Sequence, residues 1–127
     1  MKDNRLERGL ERLAELDPKA AERLSEGLKE IAPDLARYVF EFAFGDVFSR
    51  PGLDLKSREM VTVAALTALG HAQPQLKAHI SAALNVGCTR SEIVEIIIQM
   101  AVYAGFPAAL NAMYTARDLF NELDKKG

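Results

Sequence analysis

A few side chains carry the chemistry this sequence could perform. Glu59 follows Arg58 at the head of a helical stretch, and His79 stands on the next one beside an apolar line of Leu76, Ile80, Ala83 and Leu84. Histidine exchanges protons near neutral pH, so an imidazole at an apolar border can serve as a general acid or base. A partly buried carboxyl could hold that ring or move a proton itself. Each residue also has a plainer reading. Glu59 can offset the positive end of its helix, and His79 can simply be packed against the apolar line. Arg50, in the extended loop GDVFSRPGLD, could anchor a substrate carboxylate or stand in solvent. Glu92, Glu95, Gln99 and Tyr103 form a polar line on an otherwise apolar helix. The first two read as facing solvent or a subunit boundary, while Gln99 and Tyr103 could line a pocket. Cys88 precedes a helix N-terminus, a position that lowers a thiol pKa. As the only cysteine it can form neither an internal disulfide nor a CxxC pair. A thiol cycle on it would need an external thiol, and a small residue at a turn is the alternative. His71, at a helix junction before Pro74, reads as a surface or capping residue. Two histidines without a fitting third ligand, and without an HExxH or Cys/His spacing, predict no metal site.

The element that must position these groups runs from Thr89 to Pro107, TRSEIVEIIIQMAVYAGFP. It is apolar nearly all round, which predicts a helix surrounded by protein. Thr89 and Glu92 spell a capping box, Gly105 can end the helix with a positive φ, and Pro107 can open the next. The apolar run falls short of the ~20 residues that span a bilayer.

Around it the periodicity predicts further helices. Leu6, Leu10, Leu13 and Leu16 mark a first, and Asp17-Pro18 should restart the chain with Asp as N-cap. Ala21, Leu24, Leu28 and Ile31 form the inner stripe of a second. Leu35, Tyr38, Val39 and Phe42 mark a third, ending near Gly45. Residues 45–54 read as an extended loop, with Pro51-Gly52 at the centre of a type II turn. The fourth helix, capped by Asp54 or Ser57, carries MVTVAALTAL and ends at Gly70. The fifth opens at Gln73-Pro74 and closes at Gly87, and the last runs from about Pro107 to Leu123. No stretch alternates with period two, so the fold class is all-α, a helical bundle of about six or seven helices in one domain over 1–127.

The chain has 127 residues and a net charge of −2, with 16 basic and 18 acidic residues, which argues against a nucleic-acid footprint. The charged start, MKDNRLERGLERL, lacks the apolar core of a signal peptide, so a cytoplasmic protein is expected, with no membrane partner. Two helices apolar on nearly every side exceed what so short a chain encloses, so a homo-oligomer is expected.

Two longer stretches tie these features together. They are APDLARYVFEFAFGDVFSRPGLDLKSREMVTVAALTALG and QLKAHISAALNVGCTRSEIVEIIIQMAVYAGFPAALNA, spanning about residues 32–112. The Arg58-Glu59 pair before an apolar helix, His79 ahead of Ala-Leu-Asn-x-Gly, and Tyr-Ala-Gly-Phe-Pro-Ala-Ala resemble the carboxymuconolactone decarboxylase family. The resemblance places helices 1–31 ahead of a family core of about 32–123. It implies an AhpD-like all-helical fold and a ring-like oligomer, commonly a hexamer built of trimer or dimer units. It also implies one of two chemistries on a small-molecule substrate. One branch decarboxylates γ-carboxymuconolactone in aromatic catabolism. The other reduces peroxides or disulfides through CxxCxxxH. Here the corresponding region reads GHAQPQLKAH, with both cysteine positions empty, falling roughly at His71 and Pro74. The first chemistry is therefore expected, with no cofactor. His79 would be the proton donor and Glu59 its orienting partner. Arg58 or Arg50 would hold the carboxylate or the developing oxyanion, and Tyr103 would supply a further hydrogen bond. A reductase using Cys88 alone, or a non-catalytic oligomeric relative, stands as the alternative.

Overall fold

The structure is a computed structural model and describes residues 4–126. Among these residues it contains helices and no strand, the all-α class expected. The chain forms two compact units that divide after Leu55.

In the first unit, α1 spans Arg5–Leu16, with the Asn4 side chain accepting from the Leu6 and Glu7 N–H groups. Gly9, Leu13 and Leu16 face inward. Helix α2, Ala20–Leu28, starts later than Asp17-Pro18 suggests. Asp17 ends α1 and then accepts from the Lys19 N–H and the Arg23 guanidinium, so it caps through a turn and not as the N-cap residue. Ile31, assigned by periodicity to the inner stripe of α2, lies in the turn that follows and is 82% exposed. Both Ile31 and Ala32 donate their N–H groups to Leu28 O, which closes the helix before that stripe is complete.

Helix α3, Pro33–Tyr38, continues without a break into a π-helix over Val39–Val47. This π-helix replaces the simple ending expected near Gly45 and shortens the loop that follows. Its last carbonyls are satisfied from outside the helix. Ser49 Oγ donates to Phe44 O at 2.7 Å, and Arg8 Nε donates to Gly45 O at 2.7 Å. Arg5 pairs with Asp46. The crossing with α1 is close because Gly9 lies against the Phe40 carbonyl and Gly45 against that of Arg5. Phe40 and Phe44 fill the interior, while Leu35, Tyr38 and Phe42 point outward. Gly52 does not take a positive φ, so the Pro51-Gly52 turn is not the type II turn expected.

The second unit holds α4 (Leu55–Leu69), α5 (Gln73–Asn85), α6 (Arg90–Ala104) and α7 (Phe106–Lys126). Gly70, Gly87 and Gly105 take φ of 80°, 109° and 93°, as the helix ends at those positions require. The capping box on α6 is formed, Thr89 Oγ1 accepting from the Glu92 N–H and Glu92 accepting from the Thr89 N–H. Val63, Leu76, Ile80, Ile93 and Ile97 make the core, and α7 closes it with Ala109, Ala112 and Ala116, small enough to let the helices approach. Within one chain, however, α6 is not enclosed. Ile93 and Ile97 are buried, but Ile98 and Val102 are exposed, and α4 likewise turns Val61 and Leu69 outward. No described helix is long and apolar enough to cross a membrane.

Candidate active site

Helix α4 buries one face through Glu59, Val63 and Thr67, spaced four residues apart so that they stack on one side. Glu59 is fully buried, in the second turn of α4 and not in its first. It therefore cannot be the surface charge that merely offsets the helix dipole. His79 projects from α5, and its Nδ1 stands 2.8 Å from Glu59 Oε1. An ionised carboxylate can only accept, so with Glu59 ionised Nδ1 carries the hydrogen and donates it. The ring is then fixed in one orientation, and Nε2 is the nitrogen left to exchange protons. The imidazole keeps a quarter of its side chain exposed while the carboxyl group has none, so the pair joins a buried acid to an accessible ring.

The other carboxylate oxygen, Glu59 Oε2, is buried with no hydrogen-bond partner among the described residues. Buried polar atoms are almost always satisfied, by protein, water or ligand. An oxygen so placed can accept a hydrogen from a donor brought beside it. Thr67 Oγ1 is similarly buried and unpartnered. Sequence reasoning passed over it as one more member of an apolar run. Its four-residue spacing from Val63, and Val63's from Glu59, was the signal that could have found it.

Arg58 is partly buried beside Glu59 in the chain. Successive helical residues diverge by about 100°, so it serves a different sector of α4 from Glu59. Its carbonyl accepts from Thr62 Oγ1. Tyr103 stands exposed at the C-terminal end of α6, with Gln99 and Glu95 also exposed on that helix. Arg50 belongs to the first unit, where its N–H bonds Val47 O. His71 lies exposed at the α4–α5 turn.

Cys88 corrects an expectation. Its place before α6 suggested a lowered pKa, but burial, reinforced by the Glu92 charge, pushes the thiol up. Loss of hydration outweighs the helix end. Glu92 itself is committed to the capping box and to Lys56 at 3.3 Å. Among the described residues no three His, Cys, Asp or Glu side chains gather as a metal-ligand set.

The fold and the site define an all-helical protein with a buried carboxyl group bonded to a partly exposed imidazole on two successive helices. The sequence pattern of the carboxymuconolactone decarboxylase family matches residues 33–118, and the chain belongs to that family. It is 38% identical to a 4-carboxymuconolactone decarboxylase of Acinetobacter baylyi, over 95% of this chain and 90% of that protein. It is 37% identical to a nitrosuccinic acid decarboxylase of Metarhizium robertsii, over 70% of this chain and 62% of that one. A Paracoccus denitrificans protein of uncharacterised role is 36% identical over 78% of this chain and 75% of its own length.

Proposed function

We propose that this chain is a decarboxylase that removes CO2 from 4-carboxymuconolactone or a related small carboxylated lactone, without a cofactor. The observation that carries the reading is the buried Glu59, one oxygen on His79 Nδ1 and the other unpartnered. The likeness to the Acinetobacter decarboxylase over nearly the whole chain supports it.

The chemistry asks little of the protein. The bond between the ring carbon and the carboxylate breaks, CO2 departs, and the electron pair moves through the conjugated C=C into the lactone carbonyl oxygen. The resulting enolate is then protonated on carbon. His79 supplies that proton from Nε2, and solvent restores it. Glu59 is a positioning residue that holds the ring and balances the imidazolium. Arg58 is the cation proposed to face the substrate carboxylate or the developing oxyanion, a contact worth more where water is excluded.

The relative that acts on nitrosuccinic acid favours a second reading within the same class. A nitro group accepts the electron pair as a conjugated carbonyl does, so the common requirement is a carboxylate on a carbon joined to an electron sink. A reductase based on Cys88 is poorly supported, because its thiol is buried and its pKa raised. The chain is further proposed to act in the cytoplasm as a homo-oligomer, a hexamer or trimer. The many large apolar side chains it leaves exposed support self-association.

The test is to follow 4-carboxymuconolactone with purified protein, alongside His79→Gln and Cys88→Ser. Turnover should fall by roughly 10²–10⁴ in His79→Gln with folding intact, as for loss of a general acid, and persist in Cys88→Ser. Full activity of His79→Gln would remove the histidine from the mechanism. Turnover of nitrosuccinate alone would move the substrate to the second reading.

A further inference from the structure

From Ile96 to Ala116 the chain contains no Asp, Glu, Lys, Arg or His. This stretch is the α6–α7 corner, and it is not buried. Val102, Tyr103 and Phe106 are 78%, 79% and 75% exposed, and Ile98, Leu110 and Tyr114 are each roughly half exposed. The corner is preformed. Gly105 alone separates the two helices, its N–H bonds Ala101 O at 3.1 Å, and its carbonyl accepts from the Ala109 N–H at 3.3 Å. A preformed backbone needs no ordering on docking, and large aromatic side chains such as Tyr103, Phe106 and Tyr114 supply much of the contact energy of an interface.

The other long exposed apolar stripe has a different character. Leu35 and Tyr38 are interleaved with Asp34, Arg37 and Glu41, whose ion pairs run along the same helix. Interface centres are depleted in charge, a condition the corner meets and that stripe does not; the uncharged run 60–69 on α4 exposes two large apolar side chains, Val61 and Leu69, against six at the corner. Large side chains offer about 150–250 Å² each, so the six corner residues expose on the order of 800 Å². The largest patch on an ordinary monomer is about 300–600 Å², whereas each partner in a standard interface buries about 800 Å².

The absence of charge also selects the occupant. An acidic or basic partner, or an anionic lipid surface, would find nothing to pair with. A two-fold contact sets a patch against itself, which repels for a singly charged patch and costs nothing for a neutral one. We propose that the α6–α7 corner is a two-fold contact between copies of this chain, with Val102 and Phe106 at its centre. The proposal rests on the reading that the chain self-associates, and it names the face.

The experiment is sedimentation velocity of the full chain and of Val102→Glu, Phe106→Glu and Asn121→Glu, with helicity checked by circular dichroism. The wild type and Asn121→Glu should run at the same multiple of 14.0 kDa, and both corner variants should lose at least half of that mass while staying helical. A second measurement covers a variant that fails to fold. Val102→Cys in a Cys88→Ser background should give a disulfide-linked dimer on mild oxidation, because a two-fold axis brings that position close to its own copy. Corner variants of unchanged mass, with no cross-link, would overturn this face and leave self-association standing. A monomeric wild type would overturn self-association itself, and flotation of that monomer with phosphatidylcholine vesicles would give the corner to lipid.

Discussion

Replacing Gly9 by alanine should destabilise this protein, and the same change at Gly27 should stabilise it. A Cβ added at Gly9 would stand 1.8 Å from the Phe40 carbonyl oxygen, 2.8 Å from its carbon and 3.0 Å from the Gly45 nitrogen. All three are backbone atoms, so no side chain can swing aside. Comfortable contact lies near ~3.5 Å, so α1 and the π-helix must part by roughly 1.5 Å. That movement pulls Arg8 Nε off Gly45 O, now 2.7 Å away. Losing a charge-assisted bond costs about 1.5–3 kcal/mol, and overpacking costs about 1–3 kcal/mol. Alanine returns only about 1 kcal/mol in helix propensity. The net loss is about 2 kcal/mol or more, a fall of roughly 6–10 °C in Tm for a chain of this size. At Gly27, on α2, an added Cβ meets nothing within 4 Å. Only the propensity gain remains there, up to about 1 kcal/mol. Urea midpoints at one protein concentration and constant m-value read both effects. If Gly9→Ala proves as stable as Gly27→Ala, the close crossing does not exist and the account of the π-helix ending falls with it.

Four further outcomes are expected. Thr67→Val should raise the unfolding free energy read from urea titration by about 1 kcal/mol, because the hydroxyl it removes is buried without a partner; a loss of stability would show that the hydroxyl is bonded after all. Cys88 should react with iodoacetamide on the order of tenfold more slowly in the folded chain than in the unfolded one at about pH 8, since its thiol is buried and its pKa raised. By the same linkage, a thiol that keeps its proton only when folded contributes stability that is full below the unfolded value of about 8.5 and lost as pH rises through the folded one. Cys88→Ser should therefore flatten the alkaline limb of the stability curve, and an unchanged limb would refute the shift. Thr89→Ala should cost about 1 kcal/mol by opening the capping box on α6, and no change in midpoint would mean that α6 is held by its packing alone.

Helix boundaries in the second unit were legible because they are fixed by single residues with one physical purpose. Glycines at 70, 87 and 105 take the positive φ that ends a helix, and Thr89 with Glu92 satisfies the backbone at its start. In the first unit the signals were weaker. Asp17-Pro18 marks a boundary equally well as a helix end or a helix start, and the structure uses Asp17 for both, its N–H closing α1 on Leu13 O and its side chain accepting from the Lys19 N–H in the turn that follows. The π-helix could not be read at all. The apolar spacing of Phe40, Phe44 and Phe48 suits an ordinary helix, and what allows the wider winding is distant in sequence: Gly9 on α1 and the Arg8 guanidinium that takes the Gly45 carbonyl.

The candidate site shows the same division. That a carboxyl and an imidazole stand on successive helices is written in the sequence. That Glu59 is wholly buried follows only from knowing which way α4 faces, and its apolar run points in every direction. The same ambiguity explains α6. A helix apolar all round must be surrounded by protein, and within one chain its outer side is open, with Ile98 and Val102 exposed. Hydropathy records that a surface must be covered, not which chain covers it. The excess can be resolved only by counting what one chain can enclose. The proposed contact between copies rests on that excess and on the unbroken absence of charge from Ile96 to Ala116.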